Sequence, residues 1–178
     1  SILSYLLLTI LKLGAGIFFK SSALVADGIN NATDVISSVC VLIGLKISRK
    51  PADEDHLYGH FRAELISTLI ASFIMLYAGI EVVMYAVKKI ISGTIEQPSI
   101  LSAIVAFIAS VIMLGVYFYN IRLAKKIGSK SLKAAALDNL SDTLVSIGTL
   151  IGIIATYIGI PIADSVVAII VGLLIIYT

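Results

Sequence analysis

Two apolar segments of the chain each carry a pair of polar residues spaced four apart. Asn30 and Asp34 lie in the first segment, and Asp138 and Asp142 lie in the second. Because an α-helix has about 3.6 residues per turn, each pair falls on one face of its helix. A carboxylate inside a bilayer costs about 2.5 kcal/mol or more, so it is retained where it serves a function. The four side chains therefore predict one polar site between two facing membrane helices.

The chemistry of this site follows from three carboxylates and one amide oxygen, without imidazole or thiolate. Three buried anions repel one another, and a divalent cation or protons would offset that repulsion. Exchange of a metal ion for protons is therefore a natural reaction of the site. Oxygen ligands suit hard ions such as Mn²⁺ or Mg²⁺, and Mg²⁺ gives up its water reluctantly. We expect Mn²⁺ as the cargo and protons as the counter-ion, with Fe²⁺ left open by ligand type.

The elements that position these residues follow from the composition. The chain has 178 residues, of which 59% are hydrophobic and 13% are charged, and its mean hydropathy is +1.07. Soluble domains carry about 25% charged residues, and a membrane β-barrel would show alternating segments of about 10 residues, which are missing from this sequence. We expect an all-α integral membrane protein, surrounded by lipid and without a nucleic-acid partner. Residues 1–178 form one transport domain with six transmembrane helices, predicted at about 1–19, 22–48, 62–91, 99–125, 132–158 and 164–177.

Basic residues predict the orientation of the chain, because Lys and Arg are enriched in cytoplasmic connections. Most Lys and Arg residues lie in the connections between helices 2 and 3 and between helices 4 and 5, and only Lys20, Lys88 and Lys89 lie on the opposite side of the membrane. We therefore expect both termini in the cytoplasm, with the protein in the plasma membrane. The residues that carry this prediction are Lys46, Arg49, Lys50 and Arg62 around the second connection and Arg122, Lys125, Lys126, Lys130 and Lys133 around the fourth.

The polar pairs also belong to an internal repeat. With an offset of 108 positions, the segment 30–34 aligns with the segment 138–142, and Gly44 aligns with Gly152. Helix 2 runs inward and helix 5 outward, so the pattern predicts inverted repeats of three helices each. Such repeats place the substrate site near the bilayer midplane, between the halves. Ordinary packing of small residues between helices is the alternative explanation.

Three further charged residues in the predicted helices are Lys12, Asp27 and Asp164, and each has its own expected role. Lys12 either reaches the interface or pairs with a carboxylate, and a role in transport is the lesser alternative. Asp27 lies about one turn before Asn30, where we expect a gate or a supporting hydrogen bond, with direct metal ligation as the lesser alternative. Asp164 stands at the predicted start of helix 6, where an N-cap is needed.

Three motifs stand out along the chain: Gly14…Ser21-Ser-Ala-Leu-Val-Ala-Asp27-Gly-Ile-Asn30-Asn-Ala-Thr-Asp34, Asp53…His56-Leu-Tyr-Gly-His60 and Asp138-Asn-Leu-Ser-Asp142. They resemble those of the cation diffusion facilitators, and the resemblance spans the whole chain. It implies a homodimer that exports metal ions against protons by alternating access, with a cytoplasmic metal-binding domain after residue 178.

The resemblance also bears on the metal. Zinc members typically carry His or Asp at the position of Asn30 and a His-x-x-x-Asp pair on helix 5. Asn30 and Asp138 depart from that pattern and resemble the manganese branch, whose site would be Asn30, Asp34, Asp138 and Asp142.

The loop between helices 2 and 3 carries a candidate second metal site. Zinc relatives bind a peripheral metal at positions that match Asp53, His56 and His60. The resemblance implies the same ligands here, whereas a solvated charged loop is the alternative.

Three other functions are alternatives to manganese export. Zinc, iron or cadmium efflux by the same family is the first alternative. An intramembrane aspartyl protease would need Tyr-Asp and Gly-x-Gly-Asp motifs, but Asp34 follows Thr33 and Asp142 follows Ser141. A passive structural role for the carboxylates is the third. We predict a secondary active transporter rather than an enzyme.

Overall fold

The computed structural model describes residues 2–51, 59–60, 62–93, 97–128 and 130–177, without the side chains of 2–4 and 130–131. Its elements are six α-helices, as the sequence predicts, and no strand occurs among these residues. Four helices are long and apolar enough to cross a membrane, so the protein is an integral membrane protein. The helices are α1 (Ile2–Phe18), α2 (Ser22–Ser48), α3 (Ala63–Ile91), α4 (Ile100–Ile127), α5 (Lys130–Tyr157) and α6 (Ala163–Tyr177).

Local capping fixes several helix ends. The Ser21 hydroxyl accepts a hydrogen bond from the backbone N–H of Leu24 and starts α2. Ser99 does the same for Leu101 at the start of α4. Gly128 follows the last residue of α4, and its φ of 66° lies in the left-handed region. Glycine adopts this conformation at little cost because it has no Cβ atom.

Helix α2 lies at the centre of the bundle, in contact with α1, α3, α5 and α6. Helix α5 packs against α4, α6 and α2, while α3 packs against α6. The contacts of α1 with α2 and of α2 with α3 have counterparts in those of α4 with α5 and of α5 with α6. This pattern fits the inverted repeat, which stays a prediction.

Helices α3 and α6 approach closely at a pair of glycines. A Cβ atom on Gly79 would lie 2.9 Å from the carbonyl oxygen of Gly172, and one on Gly172 would lie 3.2 Å from that of Gly79. Membrane helices use small residues in this way to bring their backbones together. The two glycines therefore set the distance between α3 and α6.

Interhelical hydrogen bonds tie the end of the bundle where α1 stops and α2 begins, which we call the far end. The backbone N–H of Ser99 donates to the Phe19 carbonyl over 3.1 Å, and the Tyr157 hydroxyl donates to the Pro98 carbonyl over 2.6 Å. The far end is thus a connected layer rather than a set of separate helix ends.

Asp164 corrects one prediction at the far end. Helix α6 already begins at Ala163, so Asp164 lies inside its first turn and is not its N-cap. Its carboxylate instead accepts hydrogen bonds at 2.6 Å from the Ser21 hydroxyl and at 2.6 Å from the Ser22 backbone N–H. The Ala23 backbone N–H is a third donor, at 3.3 Å. Asp164 therefore caps α2 from α6.

Candidate metal site between α2 and α5

A cavity of about 820 Å³ lies between α2, α5 and α6 and includes all four predicted ligands. Asn30 and Asp34 line it from α2, and Asp138 and Asp142 line it from α5. The i, i+4 spacing explains why both members of each pair reach the same cavity. The structure therefore brings together the four residues that the sequence singled out.

Direct contact between the two halves of the site is made by Asn30 and Asp142. The side-chain amide nitrogen of Asn30 donates to Oδ1 of Asp142 over 3.1 Å. This leaves the amide oxygen of Asn30 as its ligand for a cation. Asp34 contributes a buried Oδ2 that has no hydrogen-bond partner. A buried carboxylate oxygen without a donor is a ready ligand for a cation or acceptor for a proton.

The three carboxylates differ in exposure. Asp142 retains 7% of its exposure, Asp34 is half-buried and Asp138 is exposed. Among the described residues, no three His, Cys, Asp or Glu side chains are grouped closely enough to hold a metal ion. The carboxylates therefore face one cavity without forming a closed cage, and this separation limits their mutual repulsion.

Tyr5 of α1 is a site residue that the sequence reasoning missed. Its hydroxyl donates to Oδ2 of Asp142 over 2.6 Å and lies 3.0 Å from Oδ1 of Asn139. Asp142 is thus held from α1 and from α2. A tyrosine hydroxyl inside a membrane helix generally finds a hydrogen-bond partner, but the sequence does not show which residue that partner is.

Lys12 and Asp27 form a buried ion pair beside the site. The ammonium group lies 2.8 Å from Oδ1 of Asp27, and both side chains are completely buried. This confirms the alternative in which Lys12 pairs with a carboxylate. Asp27 does not line the cavity, and its pairing fits the expected supporting role better than direct ligation.

The candidate second metal site is only partly covered by the structure. Asp53 and His56 lie outside the described residues, whereas His60 is described and partly buried. Metal binding in this loop stays a prediction.

A helical membrane domain with a cavity lined by carboxylates is an architecture that suits an ion transporter. The chain matches the cation efflux transmembrane domain over residues 1–178 and belongs to the cation efflux family, the cation diffusion facilitators. This confirms the resemblance seen in its motifs. Members of this family are transporters rather than enzymes.

Several curated relatives cover nearly all of this chain. It is 55% identical over 175 residues to the manganese efflux system protein MneS of Bacillus subtilis (strain 168), and this alignment covers 98% of the chain and 60% of MneS. It is 50% identical over 175 residues to the uncharacterized transporter YdbO of the same organism, with 98% of the chain and 60% of YdbO covered. It is 39% identical over 163 residues to the magnetosome protein MamB of Paramagnetospirillum magneticum (strain ATCC 700264 / AMB-1), with 91% of the chain and 55% of MamB covered. The chain therefore spans a little over half the length of these relatives.

Proposed function

We propose that this domain exports Mn²⁺ in exchange for protons by alternating access. The observation that carries the proposal is a single cavity lined by Asn30, Asp34, Asp138 and Asp142. All four offer oxygen ligands, which suit Mn²⁺. The high identity to a protein named as a manganese efflux system supports the same cargo.

The four ligands have different tasks in this proposal. Asp34 offers an oxygen free of hydrogen bonds, so it receives the incoming ion first. Asp142 exchanges its hydrogen bonds from Tyr5 and Asn30 for the cation. Asp138 is exposed and completes the ligand set when the ion is bound. One divalent ion leaves about one excess negative charge among three carboxylates.

Protons are the natural counter-ion at the same oxygens. Removal of the metal leaves three carboxylates facing one cavity inside the membrane domain, where protonation relieves the repulsion that remains between them. Proton and metal therefore compete for the site, and a proton gradient can drive the metal across the membrane.

Further parts of the proposal concern the assembly and its orientation. We infer a homodimer in the plasma membrane with both termini in the cytoplasm. Positive-inside reasoning supports the orientation. Membership of the cation efflux family supports the dimer, because the resemblance to that family implies a homodimer. Size analysis of the purified protein in detergent tests the dimer.

Transport by reconstituted protein tests the proposed function. Vesicles that contain a metal-sensitive dye are challenged with Mn²⁺, Zn²⁺, Fe²⁺ and Cd²⁺ in turn, with and without a proton gradient. We expect Mn²⁺ uptake that depends on the gradient, and no uptake by Asp34→Ala. Preference for Zn²⁺, Fe²⁺ or Cd²⁺ would favour the alternative cargoes, and uptake of no metal would contradict the proposal. Membership of a transporter family argues against the aspartyl protease alternative.

A further inference from the structure

Lys12 joins three helices inside the bundle. Its ammonium group donates to Oδ1 of Asp27 over 2.8 Å, to Oδ1 of Asn31 over 2.7 Å and to Oγ of Ser146 over 2.8 Å. Asp27 and Asn31 belong to α2 and Ser146 belongs to α5, while Lys12 belongs to α1. All four side chains are buried, with no more than 1% exposure. We call these four residues the Lys12 network.

Two members of the network lie about one helical turn from the candidate metal site, on its far-end side: Asp27 precedes Asn30 by three residues, and Ser146 follows Asp142 by four. Because α2 begins at the far end and α5 ends there, both steps lead from the metal site toward the far end. Asn31, next to Asn30 in the chain, lies at the level of the site. The Lys12 network therefore borders the site and extends from it toward the far end of the bundle.

Stability alone does not account for this arrangement. A buried ion pair loses the hydration of both charges, and apolar residues of similar volume often stabilise a fold as well or better. The layer also leaves Oδ2 of Asp27, Nδ2 of Asn31 and the hydroxyl of Thr149 buried without partners. Thr149 lies about one turn beyond Ser146 on α5, so its hydroxyl extends the polar layer toward the far end. Water would satisfy them if this layer opened.

We propose that Lys12 is a positioning residue of the transport cycle. Its bonds hold α1, α2 and α5 together and close the metal site toward the far end. These bonds separate when the site opens toward that end, and water then reaches the polar layer. The inference rests on the proposed transport function and adds the element that controls access on one side.

A double variant separates this role from a purely structural one. Lys12→Met together with Asp27→Leu removes both charges and leaves no unpaired ion. Lys12→Met alone leaves Asp27 buried and uncompensated, so we expect it to be less stable. The double variant keeps all four metal ligands, and we expect its Mn²⁺ dissociation constant to stay within about threefold of wild type while the transport rate falls at least tenfold. Lys12→Arg keeps the charge, and we expect it to transport faster than the double variant.

The outcomes are distinct. Wild-type Mn²⁺ uptake in the same vesicles establishes the proposed function, so its absence would contradict that function and not the role of Lys12 alone. Transport by the double variant at the wild-type rate would overturn the inference, because apolar contact would then suffice. Equal loss of Mn²⁺ binding and transport would overturn it as well, because the network would then shape the site rather than its access.

Thiol labelling tests the same inference without the double variant. Thr149→Cys is introduced together with Cys40→Ser, and an impermeant cationic thiol reagent is added from the far-end side. We expect labelling that increases at least tenfold during Mn²⁺ turnover. Ala106→Cys is the control, because Ala106 is completely buried in an apolar cluster with Leu24 and Ile153. Labelling of Thr149→Cys no faster than that of Ala106→Cys under turnover would overturn the inference.

Discussion

The side-chain amide of Asn30 donates a hydrogen bond to the carboxylate of Asp142 over 3.1 Å, across the contact between α2 and α5. The bond joins the two halves of the candidate site directly. A carboxylate at position 30 would place two anions against each other, whereas the amide attracts Asp142 and still offers an oxygen. The pair therefore connects α2 and α5 at the site without placing two anions in contact.

Removal of a ligand tests the site itself. We expect Asp34→Ala or Asp142→Ala to reduce Mn²⁺ transport at least about 100-fold, since even indirect partners of a metal site contribute about 10- to 100-fold. The melting temperature of Asp34→Ala should stay equal or rise, because the change removes one of several repelling anions, whereas Asp142→Ala also leaves the donors of Tyr5 and Asn30 unpaired. Ser37→Ala is the matched control, because Ser37 lines the same cavity but is not a proposed ligand. Wild-type transport by either aspartate variant would exclude the proposed ligand set.

The affinity for metal should depend on pH. Carboxylates bind metal in their ionised form, so protons must leave when the ion enters. We expect the Mn²⁺ dissociation constant to increase as the pH falls from mildly alkaline to mildly acidic values, and calorimetry of the purified protein measures it. A constant affinity across this range would contradict metal–proton exchange at these residues.

Selectivity should change when a nitrogen ligand enters the site. Asp138→His introduces an imidazole, which favours Zn²⁺ and Cd²⁺ over Mn²⁺. We expect this variant to gain Zn²⁺ or Cd²⁺ transport at the expense of Mn²⁺ in competitive uptake. Asp138→Asn controls for the lost charge and should show no such gain. A wild-type protein that already prefers Zn²⁺ would refute the manganese assignment.

The Tyr5 hydroxyl should compete with the metal ion for Asp142. A hydrogen bond to a charged group contributes about 1.5 kcal/mol, so Tyr5→Phe should bind Mn²⁺ roughly tenfold more tightly. The control is Tyr157→Phe, which loses a bond to Pro98 at the far end and should leave the affinity unchanged. Weaker binding by Tyr5→Phe would show instead that the hydroxyl supports the bound ion.

The close contact of α3 and α6 should tolerate no added methyl group. We expect Gly172→Ala to lower stability by about 1–3 kcal/mol, because its Cβ would meet Val83 and the backbone of Gly79. Gly115→Ala is the control, because nothing lies within 4 Å of its Cβ position and alanine favours a helix by about 0.5–1 kcal/mol. Thermal unfolding in detergent compares the two. Equal effects would show that the glycines do not set this contact.

The sequence predicted the helical architecture because long apolar runs require internal backbone hydrogen bonds in a membrane. It also predicted that Asn30 and Asp34 share a face with each other, as do Asp138 and Asp142, because this depends only on helical spacing. The common cavity confirms that the two faces meet. Their role as metal ligands stays a prediction.

The features that the sequence did not predict depend on contacts between helices that are distant in sequence. Tyr5 and Asp142 are 137 residues apart, and no local pattern pairs them. Asp164 carried a local signal for capping its own helix, but the free N–H groups at the start of α2 lie closer to its carboxylate in the folded bundle. Tertiary geometry decided both cases.

The capping of α2 by Asp164 has a consequence for motion. The start of α2 is fixed to α6 by bonds from the Ser21 hydroxyl and the Ser22 backbone, whereas the metal ligands of α2 lie two to three turns away. Sliding α2 along its axis would break these bonds, whereas a tilt of α2 about this end would displace Asp34 further than the capped residues.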